Sequence, residues 1–385
     1  MFLSAEWLHI VPMDRLKVWV LAPSLITSDA NIDYYYDFSQ SIEEYQKTFA
    51  ELNLTWQWQP VTMDDYRSVI DGILQEKETG DFFPVVLNLC DGDEINGTPG
   101  ISVLRYLEKK GLVYTGADEY FYRITTSKIP MKQAFDDAGV ATPAWMSITA
   151  ANQDLTNLLD DLGTPLIVKP AVSGGSMGVG IKNVVNTLPE LREQVSKMFA
   201  GYRGWNLAAE GILAESFISG PEFTVMIVGS AQFPEDCQVL TPVERVFHAS
   251  LPEKERFLSF DRLWEIYEDE TPMPGQENFY EYALPDPSLI PALQSLSLEA
   301  YQAVGGTGYT RVDIRMDQAT GQLYVLEVNA QCGISEDENY TSIGAILRMS
   351  GLSFTALIRA ILNDAFRRKY AVGAEVNTGL KGYSL

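Results

Sequence analysis

Arg311-Val-Asp313-Ile-Arg315-Met316, a turn at Asp317-Gln-Ala-Thr-Gly321-Gln322, and the return arm Leu323-Tyr-Val-Leu-Glu327-Val-Asn329 form the most informative stretch of this chain. Polar and apolar residues alternate in the first arm, so Arg311, Asp313 and Arg315 share one face of a strand. Glu327 and Asn329 share a face of the second arm, and folding the hairpin brings Asp313 beside them. Two carboxylates and an amide oxygen are hard ligands, suited to Mg²⁺ ions that hold phosphate oxygens. A surface hairpin with an Arg–carboxylate pair would account for Arg311 and Asp313. It accounts less well for a Glu and an Asn in so apolar an arm.

Upstream, Leu213-Ala-Glu215-Ser-Phe-Ile218-Ser-Gly220-Pro-Glu222-Phe-Thr-Val reads as a strand, a break and a second strand. Such a connector can offer backbone groups to a purine edge, with Glu215 and Glu222 accepting from the purine amine and ribose hydroxyls. An exposed acidic turn fits the local residues equally well. Earlier still comes Lys169-Pro-Ala-Val-Ser173-Gly174-Gly175-Ser176-Met177-Gly178-Val179-Gly180. Glycines let backbone amides approach phosphate oxygens closely. No Gly-Lys-Ser/Thr follows, and the loop leads into a strand, Ile181 to Val185, so it is neither a Walker loop nor a dinucleotide fingerprint. Alone it could be a hairpin tip. Lys169, set among Ile167, Val168 and Pro170, needs an anionic partner, which a triphosphate would supply.

Around these motifs the pattern is mixed α/β. Leu16 to Leu21, Thr55 to Pro60 and Pro84 to Cys90 read as strands, alternating with helices over Ser39–Leu52 and Asp65–Glu78. This predicts a parallel α/β unit over 1–122. A small α+β unit follows over 123–212, with helices at 127–139 and 189–199. A third α+β unit covers 213–385. Residues 265–288, rich in Glu, Asp and Pro, read as a long loop or lid. Residues 1–12 read as an extension ahead of the first strand, without the basic region or cleavage site of a signal peptide.

Composition narrows the function. The 385 residues include 52 acidic and 28 basic ones, a formal charge of -24. That balance argues against nucleic-acid and membrane-surface partners. An anionic substrate must be met by locally placed lysines, arginines and metal ions. Cys90, Cys237 and Cys332 lack zinc or disulfide spacing, which favours a reducing, cytoplasmic setting. His9 and His248 are the only histidines, too few for histidine-rich metal or triad chemistry.

Taken in order, these pieces resemble the D-alanine–D-alanine ligase branch of the ATP-grasp superfamily. The matching stretches include Asp91-Gly-Asp-Glu94-Ile-Asn-Gly97, Thr115-Gly116, Ser127-Lys128, Val168-Lys169-Pro170, the glycine loop, Glu215 to Val225, Arg311-Val-Asp313 and Glu327-Val-Asn329. The resemblance implies an ATP-grasp fold and a ligase that joins a carboxylate to an amine through an acyl phosphate, releasing ADP. It implies ATP with two Mg²⁺ ions, Mn²⁺ being an alternative, small-molecule substrates and a homodimer. Lys128 and Lys169 look like the lysines on the ATP phosphates, and Ser173, Gly174, Gly175 and Ser176 like the flap over them, with Ser176 among the catalytic positions. Glu215 and Ile218 resemble the adenine hinge, Glu222 the ribose-binding glutamate, and Asp313, Glu327 and Asn329 the metal ligands. Arg311 and the Gly333 amide resemble the pair that stabilises the acyl-transfer intermediate.

The chain also departs from that branch. The branch carries a glycine pair, a serine and a glutamate early in the chain. Here stand Leu21-Ala-Pro-Ser-Leu-Ile-Thr27 and then Asp33-Tyr-Tyr-Tyr-Asp37-Phe. The lid lysine and tyrosine fall near Leu263 and Trp264. Beyond Asn329 come Cys332-Gly333 and Glu338, where the branch has proline-glycine and a carboxylate-binding serine. A glutamate there would repel a carboxylate. The expected substrates are therefore amino-acid-like but not two D-alanines. Competing expectations are ordinary D-alanine–D-alanine ligation, imine formation of the mycosporine-glycine–amine ligase kind, a kinase that stops at phosphorylation, and a non-catalytic ATP-binding protein.

Overall fold

The computed structural model describes residues 10–25, 37–80, 82–202, 204–339 and 341–378. His9, most of the 1–12 extension, and the 26–36 stretch holding Asp33 to Tyr36 lie outside the described residues.

The first sheet is parallel, with β1 (Leu16–Pro23), β2 (Thr55–Val61), β3 (Phe83–Asn88) and β4 (Val113–Tyr114) in the order β2-β1-β3-β4. β1 and β3 are buried almost throughout, as central parallel strands require, whereas β2 at the edge is mostly half-buried or exposed. Alternate residues of β1 serve opposite faces. Val18 and Val20 pack with Tyr45 and Phe49 of helix Ser39–Glu51. Trp19 and Leu21 pack with Ile70 of helix Tyr66–Thr79 and Val103 of helix Ile101–Lys109.

The middle sheet is antiparallel, with β5 (Trp145–Ile148), β6 (Leu166–Pro170), β7 (Val184–Val185) and β8 (Ile212–Ser216) in the order β5-β8-β6-β7. Helix Leu188–Ala200 covers it through Leu191, Val195 and Met198. Thr187 and Glu190 start that helix with reciprocal side-chain bonds to each other's backbone amides. β8 pairs with both β5 and β6, so this sheet runs past the expected break at 212/213. The other break, at 122/123, falls inside helix Glu119–Thr126. The strand expected from Ile181 shortens to two residues. Asn183 donates its amide to the carbonyls of Val168 at 2.6 Å and Gly178 at 2.9 Å, and accepts from Gly180 N at 2.8 Å. Those bonds curl Ile181–Asn183 into a 3₁₀ turn.

The third sheet holds β9 (Glu222–Val228), β10 (Gln238–Val239), β11 (Val243–Phe247), β12 (Tyr280–Ala283), β13 (Tyr309–Met316) and β14 (Leu323–Ala330). Its order is β12-β11-β9-β13-β14, with β10 on β9. β12 comes from the 265–288 stretch, so that stretch is partly an edge strand rather than a loop throughout. Phe223, Val225, Ile227, Val312 and Ile314 form one face and pack with Leu293 and Tyr301 of helix Ile290–Ala303. Met226 and Val243 instead join the core that holds Val18, Tyr45 and Ile358. The first and third sheets thus share one core. Among the described residues no single helix is long and apolar enough to cross a membrane.

Candidate active site

The polar face of the third sheet is built by register. Arg245, Glu222 and Arg315 stand side by side across β11, β9 and β13. The next row carries Thr224, Asp313 and Glu327, and the one beyond it Met226, Arg311 and Asn329. One irregularity makes this possible. The β13–β14 register shifts between Asp313 and Ile314, leaving Leu326 without a partner. Without that bulge Val325 and Glu327 would face the same way. With it, Val325 enters the core while Glu327 turns to the polar face. Simple alternation in the sequence does not reveal the bulge.

On that face Arg311 grips Asp313 bidentately, Nε donating to Oδ1 at 3.0 Å and Nη2 to Oδ2 at 2.9 Å. Asn329 Nδ2 donates to Asp313 Oδ2 at 3.0 Å. Burial acts to raise the Asp313 carboxyl, but Arg311 outweighs it and holds the group below its usual value. Asp313, Glu327 and Asn329 offer two carboxylates and an amide on adjacent rows. Among the described residues no cluster of three or more carboxylates, histidines or thiols forms a metal-holding group. Two carboxylates with an amide oxygen fit hard divalent cations that take their remaining ligands from phosphate and water, and fit zinc poorly.

Opposite the sheet, Lys128 begins helix Lys128–Ala138. Its ammonium reaches the Ser173 carbonyl at 3.3 Å and Glu327 Oε2 at 3.7 Å, joining the glycine loop to the carboxylate row. The loop is no hairpin tip. Ser176 adopts φ 62 and Gly178 φ 74, Met177 is buried with Leu207 and Phe260, and Trp264 Nε1 donates to Gly175 O at 2.8 Å. The neighbouring segment is tied on as well, through Phe260 N to Val179 O at 2.8 Å and Ile181 N to Glu270 Oε1 at 2.9 Å. The segment covering the loop is thus Ser259 to Glu270, which starts before the expected lid.

Several of the expected residues have partners that the sequence does not reveal. The anionic partner that Lys169 needs is Glu215, with which it forms an ion pair. Glu215 is buried and also receives Lys132 at 2.8 Å. Glu222 is buried between Arg245 and Arg315. Arg315 links that cluster to the segment between β8 and β9 by donating to Ile218 O at 2.8 Å. Glu338 is held by Arg348 at 2.8 Å, so the repulsion expected from it is compensated. Lys132 was missed in the sequence, although it lies four residues after Lys128 on the same helix face. Gln331 was missed too. It is buried, donates to Asn88 O at 2.7 Å and accepts from Ala117 N at 2.7 Å. It thereby pins the Cys332-Gly333 turn against the end of β3. Gly333 lies in that turn, just beyond the end of β14. All three cysteines are free thiols.

The family model for the D-Ala D-Ala ligase C-terminus matches residues 134–363, which include the glycine loop and the whole polar face. The chain belongs to that family. It is a carbon–nitrogen ligase of the ATP-grasp type. A D-alanine–D-alanine ligase of Xanthomonas axonopodis pv. citri is 28% identical over 77% of this chain and 83% of the relative. An uncharacterised protein, y4sG, of Sinorhizobium fredii is 29% identical over 75% and 76%. Among solved structures, the D-alanine–D-alanine ligase of Bacillus anthracis in complex with ATP superposes with a TM-score of 0.63 at 20% identity, covering 93% of this chain and all of that one. The Coxiella burnetii ligase gives 0.64 at 16% identity, covering 94% and 99%. These family members share the ATP-grasp fold with the chain described here.

Proposed function

We propose that the chain is an ADP-forming ligase that activates a small amino-acid-like carboxylate as an acyl phosphate and passes it to an amine. The observation that carries this reading is the single polar sheet face on which Arg311, Asp313, Glu327 and Asn329 occupy adjacent rows, with Lys128 bridging Glu327 to the glycine loop.

A carboxylate oxygen of the acid attacks the γ-phosphorus of ATP, and the bond to the β–γ bridging oxygen breaks to leave ADP. The transfer needs positioning and charge neutralisation more than covalent help. Lys128, Lys169 and the loop from Ser173 to Ser176 supply cations and backbone amides for the phosphates. Asp313, Glu327 and Asn329 would hold Mg²⁺, which neutralises phosphate charge when bound. The amine then attacks the acyl carbon, Arg311 and the Gly333 amide stabilise the oxyanion, and phosphate leaves. Arg311 must exchange its Asp313 partner for that oxyanion.

We further propose that the two substrates are not both D-alanine. Trp264 occupies the lid position over the glycine loop, and the Glu338–Arg348 pair lies beyond the Cys332-Gly333 turn. The names of the relatives favour the second reading, ordinary D-alanine–D-alanine ligation. Release of ADP and phosphate with Mg-ATP across amino acids, singly and in pairs, with mass spectrometry of the products, decides between them. Turnover with D-alanine alone, yielding its dipeptide, would overturn the first reading. Silence with every acid, despite tight ATP binding, would overturn both.

A further inference from the structure

Gly333 is exposed, whereas Gln331, Cys332, Ile334 and Ser335 around it are all buried. Among the described residues nothing accepts a hydrogen bond from its backbone amide. The turn thus offers one free donor between two anchored flanks. Such a donor stabilises developing charge only if the flanks hold it in place beforehand.

The anchor before Gly333 is Gln331, through its bonds to Asn88 O and Ala117 N. Gly116 makes room for it, since a Cβ there would stand 1.5 Å from Gln331 Oε1.

The anchor after Gly333 is Glu44, on helix Ser39–Glu51 of the first unit. Its side chain is buried. Oε1 accepts from Ser335 Oγ at 2.7 Å and from Asp337 N at 3.3 Å, and Oε2 from Glu336 N at 3.2 Å. Gln40, one turn earlier, donates to the same carboxylate at 3.2 Å. Lys47, one turn later, pairs with Glu336 at 3.1 Å, and among the described residues no lysine or arginine pairs with Glu44. From the other side, helix Ser342–Ser350 closes on the segment, since a Cβ on Gly344 would stand 2.3 Å from Glu336 O.

A buried carboxylate is costly unless donors satisfy it. An apolar residue at position 44 would pack helix Ser39–Glu51 equally well, as Tyr45 and Phe49 do. What only an acceptor can do there is order residues 335–337. Both anchors of the turn therefore lie on the unit built around the first sheet, while the turn itself leaves β14 of the third.

We propose that Glu44 is a positioning residue for acyl transfer: it fixes residues 335–337 and, through them, the Gly333 amide. This rests on the ligase reading above. Phosphoryl transfer relies on Lys128, Lys169, the glycine loop and the carboxylate row, and none of these bonds to Glu44. Loss of Glu44 should slow the second step and spare the first.

Rapid quench of a single turnover reads the two steps in one sample. Enzyme in excess over Mg-ATP is mixed with the best acid and amine from the ADP-release panel, and ADP and ligated product are followed in wild type, Glu44→Gln and Glu44→Ala. Rate constants from one turnover do not depend on the folded fraction. Glu44→Gln keeps the shape and loses one of the two acceptor oxygens. In both variants ADP should form within about twofold of the wild-type rate, while product lags roughly tenfold in Glu44→Gln and up to a hundredfold in Glu44→Ala, as a displaced reacting group entails. ADP and product slowing together, or neither slowing, would overturn the role of Glu44 and leave the ligase reading intact. Absence of ADP from wild type with every acid and amine would overturn the ligase reading, and the inference with it.

Discussion

Lys132 and Glu215 meet at 2.8 Å with both side chains sealed from water. Lys169 completes the group from the strand entering the glycine loop. This charge cluster ties helix Lys128–Ala138 to β6 and β8.

Removing one partner of a buried ion pair leaves an uncompensated charge, which costs far more than the intact pair contributes. Lys132→Met should therefore destabilise the fold by about 3 kcal/mol, the low end of that effect, because Lys169 still faces Glu215. Urea unfolding measures it. A change below about 1 kcal/mol would mean that the cluster is wetter than described.

The same cluster sets an acid limit. Burial acts to raise Glu215, but Lys132 and Lys169 outweigh it and hold the carboxyl at about 2, against an ordinary 4.5. A carboxyl whose folded pKa lies below its unfolded one contributes stability that is complete above the unfolded value and lost as pH falls towards the folded one. Between pH 4.5 and about 2 the stability of wild type should thus fall more steeply than that of Glu215→Gln. Parallel pH–stability curves would contradict this.

The glycine loop is anchored through Trp264 Nε1 and Gly175 O. Trp264→Phe retains much of the packing and loses the bond. Loss of about 1 kcal/mol of loop ordering predicts a KM for ATP raised about fivefold. Trp264→Ala, which also strips the cluster of Met177, Leu207 and Phe260, should raise it further. An unchanged KM in both would show that the loop needs no such anchor.

Glu327 is partly exposed and its ion-pair partner is Lys128, at 3.7 Å. Its loss should cost little stability. Glu327→Ala is expected to lower Mg²⁺-dependent turnover roughly a hundredfold or more, with the thermal midpoint almost unmoved. Retained turnover would remove Glu327 from the metal site.

What could be read from the sequence follows a physical divide. Strands β1, β3, β13 and β14 announce themselves by apolar runs or alternation, because burial on one or both faces is written in neighbouring residues. The carboxylate row was legible for the same reason. Lys132 and Gln331 were not, since their partners, Glu215 and Asn88, lie far along the chain and meet them only after the sheets pack. The ion pairs of Glu215 and Glu222 were hidden likewise. Nothing local foretells that Lys132, Arg245 and Arg315 converge on those carboxylates. The break at 212/213 was misplaced because β8 looks like the start of the next strand pair, yet hydrogen-bonds backwards to β5 and β6.

The central claim is that a carboxylate is activated as an acyl phosphate on the polar face of the third sheet. Hydroxylamine trapping tests it most directly: enzyme, Mg-ATP, a panel of amino acids and hydroxylamine, with hydroxamate and nucleotide products followed by mass spectrometry. The account predicts hydroxamate and ADP in equal amounts, both lost in Glu327→Ala. Hydroxamate accompanied by AMP and pyrophosphate, or no hydroxamate from any acid, would contradict it.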